Sequence, residues 1–284
     1  MDGRASTTAI RVALRRAAHQ LLDDPLVFED PLAIRILGPK MQESLRAQVR
    51  DRKGGWFVRP RLRAHLVARS RFCEEELGMA ASSGVAQYVI LGAGFDTSAF
   101  RTRPGSEPLR IFEVDHPATQ KSKRAALARA GISEPGNVAF VPVDFERQSL
   151  ADELRNAGFQ TERAAFFSWL GVVFYLHRAA IEATVRFIGS MPAGTRVVFD
   201  YGLPSEALPF LHRLARRWLA RRVAVAGEPF RSYFKPEEIA SLLQGVGFST
   251  IVDLDGAAIN SRYFSGRKDR LRVGGVGHLV CATV

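Results

Sequence analysis

Residues 88–97 have the sequence YVILGAGFDT, and they set the expected architecture of the chain. The first four residues form a continuous apolar run, which is typical of a strand buried on both faces of a parallel sheet. Gly92 and Gly94 then allow a tight turn and a close approach of the backbone to a ligand. We interpret the segment as a central strand that leads into a ligand-binding turn.

Similar apolar runs follow along the chain, and helical patterns lie between them. The runs cover residues 109–114, 138–143, 164–169 and 196–199, and the helical patterns cover 117–130, 146–154 and 179–190. Strands that alternate with helices favour a doubly wound α/β fold. Two more β-like runs, 248–254 and 277–284, are joined by a polar connection without a helical pattern. We interpret these two runs as an antiparallel pair at one edge of the sheet.

The first 80 residues contain helical patterns and turns but no β-like run. Helices are predicted over residues 9–22, 31–37 and 59–77 from apolar periodicity and from the helix-ending signals of Pro and Gly. The sequence therefore predicts an N-terminal helical cap or lid over residues 1–80 and a doubly wound core over 81–284, together forming one structural domain.

Composition limits the class of protein. Of 284 residues, 46% are hydrophobic and 24% are charged, as in an ordinary globular domain. Cys73 and Cys281 are too few for a disulfide framework and lie in no metal-binding motif, which suits a reducing compartment. Since no apolar run approaches the ~18–20 residues of a membrane span and no signal peptide is evident, we expect a cytoplasmic protein without a membrane segment or a metal.

The net charge of +11 arises from 40 Lys+Arg against 29 Asp+Glu. Such a field attracts any anion, including nucleic acid or a carboxylate substrate, and composition cannot choose between them.

Acidic residues follow the second and third predicted strands. Asp115 lies 21 residues beyond Gly94, where an acidic side chain can accept the hydrogens of a ribose diol. Asp144 can accept from the exocyclic amine of a base that Phe145 borders. In the alternative interpretation, both aspartates only cap the helices that follow them.

The glycine loop does not complete a dinucleotide-binding fingerprint. A G-x-G-x-x-G motif requires glycine at position 97, where this chain has Thr97. The missing glycine weakens a pyrophosphate-binding interpretation and favours a nucleoside that carries no phosphate.

Taken together, these motifs resemble those of the S-adenosylmethionine-dependent methyltransferases of the leucine carboxyl methyltransferase type, notably their actinobacterial relatives. The segments that carry the resemblance are ILGAGFDT at 90–97, EVDHP at 113–117, Asp144-Phe145 and WLGV at 169–172, with further likeness at 69–72 and 227–232. The resemblance implies a class I methyltransferase fold, Rossmann-like and mostly parallel with an antiparallel edge strand. It also implies S-adenosylmethionine as the cofactor, S-adenosylhomocysteine as the product, and no metal.

The resemblance also implies which residues hold the cofactor. The glycine loop would contact the methionine moiety, Asp115 the ribose, and Asp144 with Phe145 the adenine. An arginine of the helix before the first strand would hold the cofactor carboxylate, and the sequence leaves Arg69 and Arg71 as equal candidates. The predicted cofactor-binding residues are Arg69, Arg71, Gly92, Ala93, Gly94, Asp115, Asp144, Phe145 and Trp169.

One position departs from the family pattern. Leu170 stands where leucine carboxyl methyltransferases have a glutamate before the glycine that corresponds to Gly171. The polar contact made by that glutamate must be lost or supplied elsewhere, and the acceptor side of the pocket is expected to be more apolar.

The methyl acceptor is expected to lie near the ends of the fourth and fifth strands. Carboxylate acceptors need no general base, whereas hydroxyl acceptors need one nearby. The predicted acceptor-site residues are Tyr175, Tyr201 and Arg231, and further candidates are His177, Asp200, Tyr233 and His278. We therefore predict O-methylation of a small molecule or a carboxylate in secondary metabolism. A nucleic-acid methyltransferase, an NAD-dependent oxidoreductase and a catalytically silent binding protein remain as alternatives.

Overall fold

The predicted apolar runs form one seven-stranded sheet in the structure, a computed structural model that describes residues 6–50, 60–101, 109–145, 147–207 and 230–284. The sheet order is β3-β2-β1-β4-β5-β7-β6, and every neighbouring pair is parallel except β5·β7 and β6·β7. The strands are β1 (Gln87–Leu91), β2 (Arg110–Asp115), β3 (Val138–Pro142), β4 (Phe166–Trp169), β5 (Arg196–Gly202), β6 (Thr250–Leu254) and β7 (Gly277–Thr283). The predicted fold class is confirmed, including the antiparallel pair at one edge, and β7 is the reversed strand.

Helices connect the strands and precede the sheet. They are α1 (Thr7–Leu22), α2 (Leu32–Arg35), α3 (Pro39–Arg50), α4 (Pro60–Ser82), α5 (Pro117–Arg129), α6 (Leu150–Asn156), α7 (Arg178–Gly189), α8 (Pro236–Gln244) and α9 (Gly256–Tyr263). None of these described helices is both long enough and apolar enough to span a membrane. Part of the segment 227–232, in which the sequence carries family likeness, lies outside the described residues.

The connection between β6 and β7 is not the irregular loop that the sequence predicted, because it contains α9. Asp255 caps this helix by accepting the Ala258 N–H at 2.8 Å. Ile259 is the main side chain that α9 places in the core. An eight-residue helix with so few buried side chains leaves almost no apolar periodicity to detect.

Side chains of each central strand alternate between two hydrophobic cores. Val89 and Leu91 of β1 belong to the core on one face, with Ile181 of α7. Tyr88 and Ile90 belong to the core on the other face, which α4 covers. Both faces of β1 are therefore buried, as its unbroken apolar sequence predicts.

The N-terminal helices α1–α3 have a small core of their own, which is built around Ala17, Leu37 and Leu45. Phe95, in the loop after β1, packs against this core. The glycine loop is thus in contact with the N-terminal helices as well as with the sheet.

Three side chains connect the strands at the β6 edge. Tyr201 of β5 is fully buried and donates its hydroxyl hydrogen to Asp253 Oδ2 at 2.6 Å, and His278 Nδ1 lies 2.8 Å from Asp253 Oδ1. Asp253 belongs to β6, and β7 lies between β5 and β6. These bonds tie β5 to β6 across the reversed strand.

We expect Tyr201→Phe to lower the free energy of unfolding by about 1 kcal/mol, the typical net value of one intramolecular hydrogen bond. Urea denaturation of the wild type and the variant measures this loss. As a control, the same substitution introduced into an Asp253→Ala background should cost much less. An equal loss in both backgrounds would show that the Tyr201–Asp253 bond is not responsible.

Candidate active site

A cavity lies at the carboxyl ends of the parallel strands, which is where ligands bind in open α/β sheets. Residues of the loops after β1, β2, β3 and β4 line the cavity, and so do residues of α1. Most of the predicted site residues line it together, namely Arg69, Gly92, Ala93, Gly94, Asp115, Asp144, Phe145, Tyr175 and Arg231. The predicted site residues that do not line it are Arg71, Trp169 and Tyr201.

The turn after β1 requires glycine. Gly92 has φ +67° and Gly94 has φ +49°, a left-handed conformation that side chains with a Cβ rarely adopt. At Gly92 a Cβ would collide with the side chain of Val172. The N–H groups of Gly92 and Ala93 both donate to the carbonyl oxygen of Val114, at 2.8 and 3.1 Å. The turn is thereby folded against the end of β2, where Asp115 begins its own loop.

Asp115 is bonded to the glycine turn. Its Oδ2 accepts the Gly94 N–H at 2.5 Å, and its Oδ1 accepts the His116 N–H at 2.6 Å. Burial raises the pKa of Asp115, and these two N–H bonds oppose that rise. The capping side chain of α5 is that of His116, which accepts from the Ala118 N–H. The alternative that Asp115 serves to cap α5 is therefore wrong.

Asp144 and Phe145 lie on the β3 side of the cavity. Gln148 fixes this turn because its side-chain oxygen accepts the Asp144 N–H at 2.8 Å. The next helix, α6, is capped by Ser149. Asp144 is thus not the cap of α6, and it contributes to the wall of the cavity.

Arg69 of α4 faces the cavity from the side opposite Asp115. Its Nη1 donates to Asp200 Oδ2 at 2.8 Å, and Asp200 Oδ1 accepts the Gly171 N–H at 2.5 Å. Gly171 has φ +73°, and a Cβ there would lie 2.7 Å from Arg69 Nη1. The guanidinium thus lies directly against the turn after β4.

Asp200 is the buried anion of this arrangement and does not line the cavity. Burial favours its neutral form, but the charge of Arg69, the contact with His65 Nε2 at 3.3 Å and the Gly171 N–H lower its pKa to about 2. Asp200 is ion-paired with Arg69 and lies outside the cavity lining, so it is poorly placed to take a proton from an acceptor there.

Helix and strand geometry explains why Arg71, Trp169 and Tyr201 do not line the cavity. Arg71 follows Arg69 by two positions, which places it on another side of α4, where it is exposed and bonded to Glu75 at 2.8 Å. Trp169 alternates with Ser168 and Leu170, which both line the cavity, and its ring is in the core against Phe199.

Tyr201 likewise alternates with Asp200, and its hydroxyl bonds to Asp253 on the far side of the sheet edge. Arg71, Trp169 and Tyr201 therefore lie outside the lining of this cavity, and their roles at the site stay predictions.

Tyr175 and Arg231 lie on the β4 side of the cavity. The ring of Tyr175 stacks on that of Phe230 with centroids 5.4 Å apart, and Arg231 Nη1 contacts His177 Nε2. The Arg231 N–H donates to the Phe174 carbonyl oxygen at 2.7 Å. Leu170, at the position of the family glutamate, also lines this side. Two further candidates, Tyr233 and His278, do not line it.

The N-terminal helix α1 supplies lining residues that the sequence did not predict. Ala9, Val12 and Arg16 face the cavity from α1, and Asp96 faces it from the glycine loop. Arg16 Nη1 donates to Asp96 Oδ2 at 3.0 Å. The two residues are 80 positions apart, so no local pattern reveals the pair. Within the described ranges, no cluster of His, Cys, Asp and Glu is arranged to hold a metal ion.

Two residues before Asp115 on β2, Glu113 is paired with Lys123 of α5. Lys123 Nζ donates to Glu113 Oε1 at 2.6 Å, and both side chains are buried. Burial raises the pKa of Glu113 to about 7, although the charge of Lys123 opposes the rise.

Comparison with known proteins places the cavity in a family context. The model of the family described as leucine carboxyl methyltransferase matches residues 9–189. The protein YktD of Bacillus subtilis (strain 168), named for S-adenosyl-L-methionine-dependent methyltransferase activity, is 34% identical over 288 residues, which is 94% of each chain. A protein of Mycobacterium ulcerans (strain Agy99) with the same naming is 30% identical over 219 residues, covering 70% of this chain and 67% of its own.

Solved structures share the fold at lower sequence identity. A protein from Thermobifida fusca YX, named as a methyltransferase, has a TM-score of 0.56 at 19% identity and covers 91% of this chain and 96% of its own. A DUF574 family protein from Streptomyces avermitilis MA-4680 has a TM-score of 0.54 at 20% identity, and the match covers 86% of this chain and 90% of its own.

We expect the stability of the protein to fall as pH rises from about 4.5 to about 7, in part because of Glu113. Its pKa in the folded state lies above the ordinary value, so the unfolded chain releases this proton first as pH rises. The loss of unfolding free energy that Glu113 causes is absent below pH 4.5 and complete above pH 7. Urea denaturation between pH 4.5 and 8 measures the slope, and Glu113→Gln should reduce it. An unchanged slope in that variant would contradict the assignment.

Proposed function

Since the chain belongs to the leucine carboxyl methyltransferase family and is an S-adenosylmethionine-dependent methyltransferase, we propose that it O-methylates a small molecule, with a carboxylate as the acceptor. We further propose that this molecule belongs to secondary metabolism, that the protein acts in the cytoplasm, and that residues 1–80 serve as a cap over the core at 81–284.

The residues around the cavity fit the cofactor. The glycine turn and Asp115 both line the cavity, and each oxygen of Asp115 accepts a single backbone N–H and keeps a lone pair for a ribose hydroxyl. Arg69 offers a cation for the cofactor carboxylate, and Asp144 offers an acceptor for the adenine amine. When bound, the cofactor supplies an activated methyl group, because loss of that methyl leaves a neutral thioether.

The β4 side of the cavity supports a carboxylate acceptor. The described residues that line this side are Arg69, Ser70, Ser168, Leu170, Gly171, Val172, Tyr175, Leu176 and Arg231. These residues include no carboxylate or imidazole, and the imidazole of His177, which contacts Arg231 Nη1, does not itself line the cavity, so the lining offers neither of the usual groups for removing a hydroxyl proton. A carboxylate needs no such group because it is already ionised. This observation carries the proposal.

The chain's own contribution to catalysis is then mainly positioning. Arg231, at the rim, can hold a carboxylate through two parallel N–H bonds, and the stacked rings of Tyr175 and Phe230 form an adjacent apolar wall. Holding the acceptor oxygen in line with the transferred methyl contributes several kcal/mol, on the order of 7–11 at best. Leu170 and Val172 help to exclude water from this part of the cavity.

The alternative functions have less support. An NAD-dependent oxidoreductase has to accommodate a pyrophosphate beside Thr97, and the Thr97 hydroxyl is bonded inside the protein to Asp30. A nucleic-acid methyltransferase would use the same cofactor site, but neither the matched family nor YktD is named for a nucleic-acid substrate.

We expect Asp115→Ala to weaken S-adenosylhomocysteine binding at least tenfold, about 1.4 kcal/mol, because the ribose hydroxyls lose their acceptor. Isothermal titration calorimetry measures the affinity. Asp152→Ala, which removes an exposed aspartate of α6, serves as the matched control and should bind like the wild type. Equal affinity of the Asp115 variant would refute this site, and wild-type binding of NAD in place of S-adenosylhomocysteine would refute the methyltransferase activity.

We expect small carboxylic acids, and not the matching alcohols, to support formation of S-adenosylhomocysteine. Arg231→Ala should then raise the acceptor KM at least tenfold and change the affinity for S-adenosylhomocysteine less than twofold, since its role is to hold the acceptor. Product formation from a panel of aromatic and aliphatic acids, each paired with its alcohol, checks this expectation. Turnover of the alcohols alone would overturn the carboxylate proposal and leave the methyltransferase assignment intact.

A further inference from the structure

A buried guanidinium connects the N-terminal helix α1 to the loop that follows β1. Arg16 Nη1 donates to Asp96 Oδ2 at 3.0 Å, and its Nη2 donates to Thr97 Oγ1 at 2.8 Å and to Asp30 Oδ2. Arg16 is 4% exposed, and both Asp30 and Thr97 are fully buried. One side chain of α1 thus binds two consecutive residues of the glycine loop.

The network needs a guanidinium in particular. Its planar fork reaches Asp96 with one nitrogen and Thr97 with the other, whereas a lysine would present a single point of charge. Asp30 completes the arrangement, because it accepts the Thr97 hydroxyl at 2.8 Å and the Leu32 N–H at 3.2 Å. Burial opposes ionisation of Asp96, but Arg16 and the neighbouring cations lower its pKa.

The same loop carries the turn that faces the cavity. Asp96 follows Gly94 by two residues, and the Gly94 N–H donates to Asp115. From the other side α1 packs closely on this turn, because a Cβ at Gly94 would lie 3.2 Å from the Cβ of Ala9. The position of the glycine turn is therefore set between Asp115 of the sheet and Arg16 with Ala9 of α1.

We propose that Arg16 is a positioning residue for cofactor binding, which holds residues 92–97 in the binding conformation from α1. The N-terminal helices then belong to the cofactor site and are not only a cover for the acceptor. This proposal rests on the proposed cofactor site. Since coupling between two sites is reciprocal, bound cofactor must in turn stabilise the docking of α1.

The test compares Arg16→Lys with a matched variant, Arg63→Lys. Arg63 is equally buried and makes a two-point bond at 2.7 Å with Asp23, the residue that follows α1, and not with the glycine loop. Both variants keep a positive charge but lose the two-point bonds of the guanidinium, so both should lower the midpoint temperature of thermal unfolding. We expect only Arg16→Lys to weaken S-adenosylhomocysteine binding, at least tenfold, and to speed amide hydrogen exchange selectively at residues 92–97.

Affinity within twofold of the Arg63→Lys variant would overturn the proposal, as would exchange that rises evenly over the whole chain. A wild type that fails to bind S-adenosylhomocysteine would instead refute the proposed cofactor site, and with it this inference.

A second measurement needs no variant. Saturating S-adenosylhomocysteine should slow hydrogen exchange of wild-type α1 (residues 7–22) together with residues 92–97. Protection of the loop without protection of α1 would overturn the proposal even if Arg16→Lys does not fold.

Discussion

The structure depends on one steric constraint, the absence of room beside Gly92. The strand β1 is buried on both faces, and its chain must turn sharply where it leaves the sheet. Because Val172 of the neighbouring loop fills the space that a side chain would need, only glycine permits the turn. The bonds from this turn to Val114 and from Gly94 to Asp115 hold the ends of β1 and β2 together, and Val172 packs against the turn from the loop after β4. The cavity is a consequence of that convergence.

Buried charges around the cavity are held in pairs. Arg69 is bonded to Asp200, Lys123 to Glu113, and Arg16 to Asp30 and Asp96. A buried ion is tolerated only when its partner is close and well oriented, and breaking such a pair costs about 3–5 kcal/mol. Through these pairs the protein keeps fixed charges close to the cavity. Asp200 also accepts the Gly171 N–H, so the ion pair and the turn after β4 hold each other in position.

Local sequence patterns were sufficient for the strands and for the residues that directly follow them. The glycine turn, Asp115 and Asp144 lie where the strand period and loop position place them. The same patterns did not place Trp169 and Tyr201 correctly relative to the cavity. Side-chain alternation along the strands directs the ring of Trp169 into the core and the hydroxyl of Tyr201 towards Asp253. The sequence patterns did not choose between Arg69 and Arg71, although residues two positions apart on a helix point to different sides and only Arg69 faces the cavity. Arg16 could not be found in this way, because its partners lie far along the chain and only folding brings them together.

The shared guanidinium of Arg16 restricts how this sequence can diverge. Asp30, Asp96 and Thr97 all bind the same group, so replacing any one member leaves a buried charge or donor without its partner. A different solution at this position requires several substitutions, and each intermediate sequence is less stable than either end point. We therefore expect a single change at any of these four positions to cost far more stability than a single change at the exposed surface of α3.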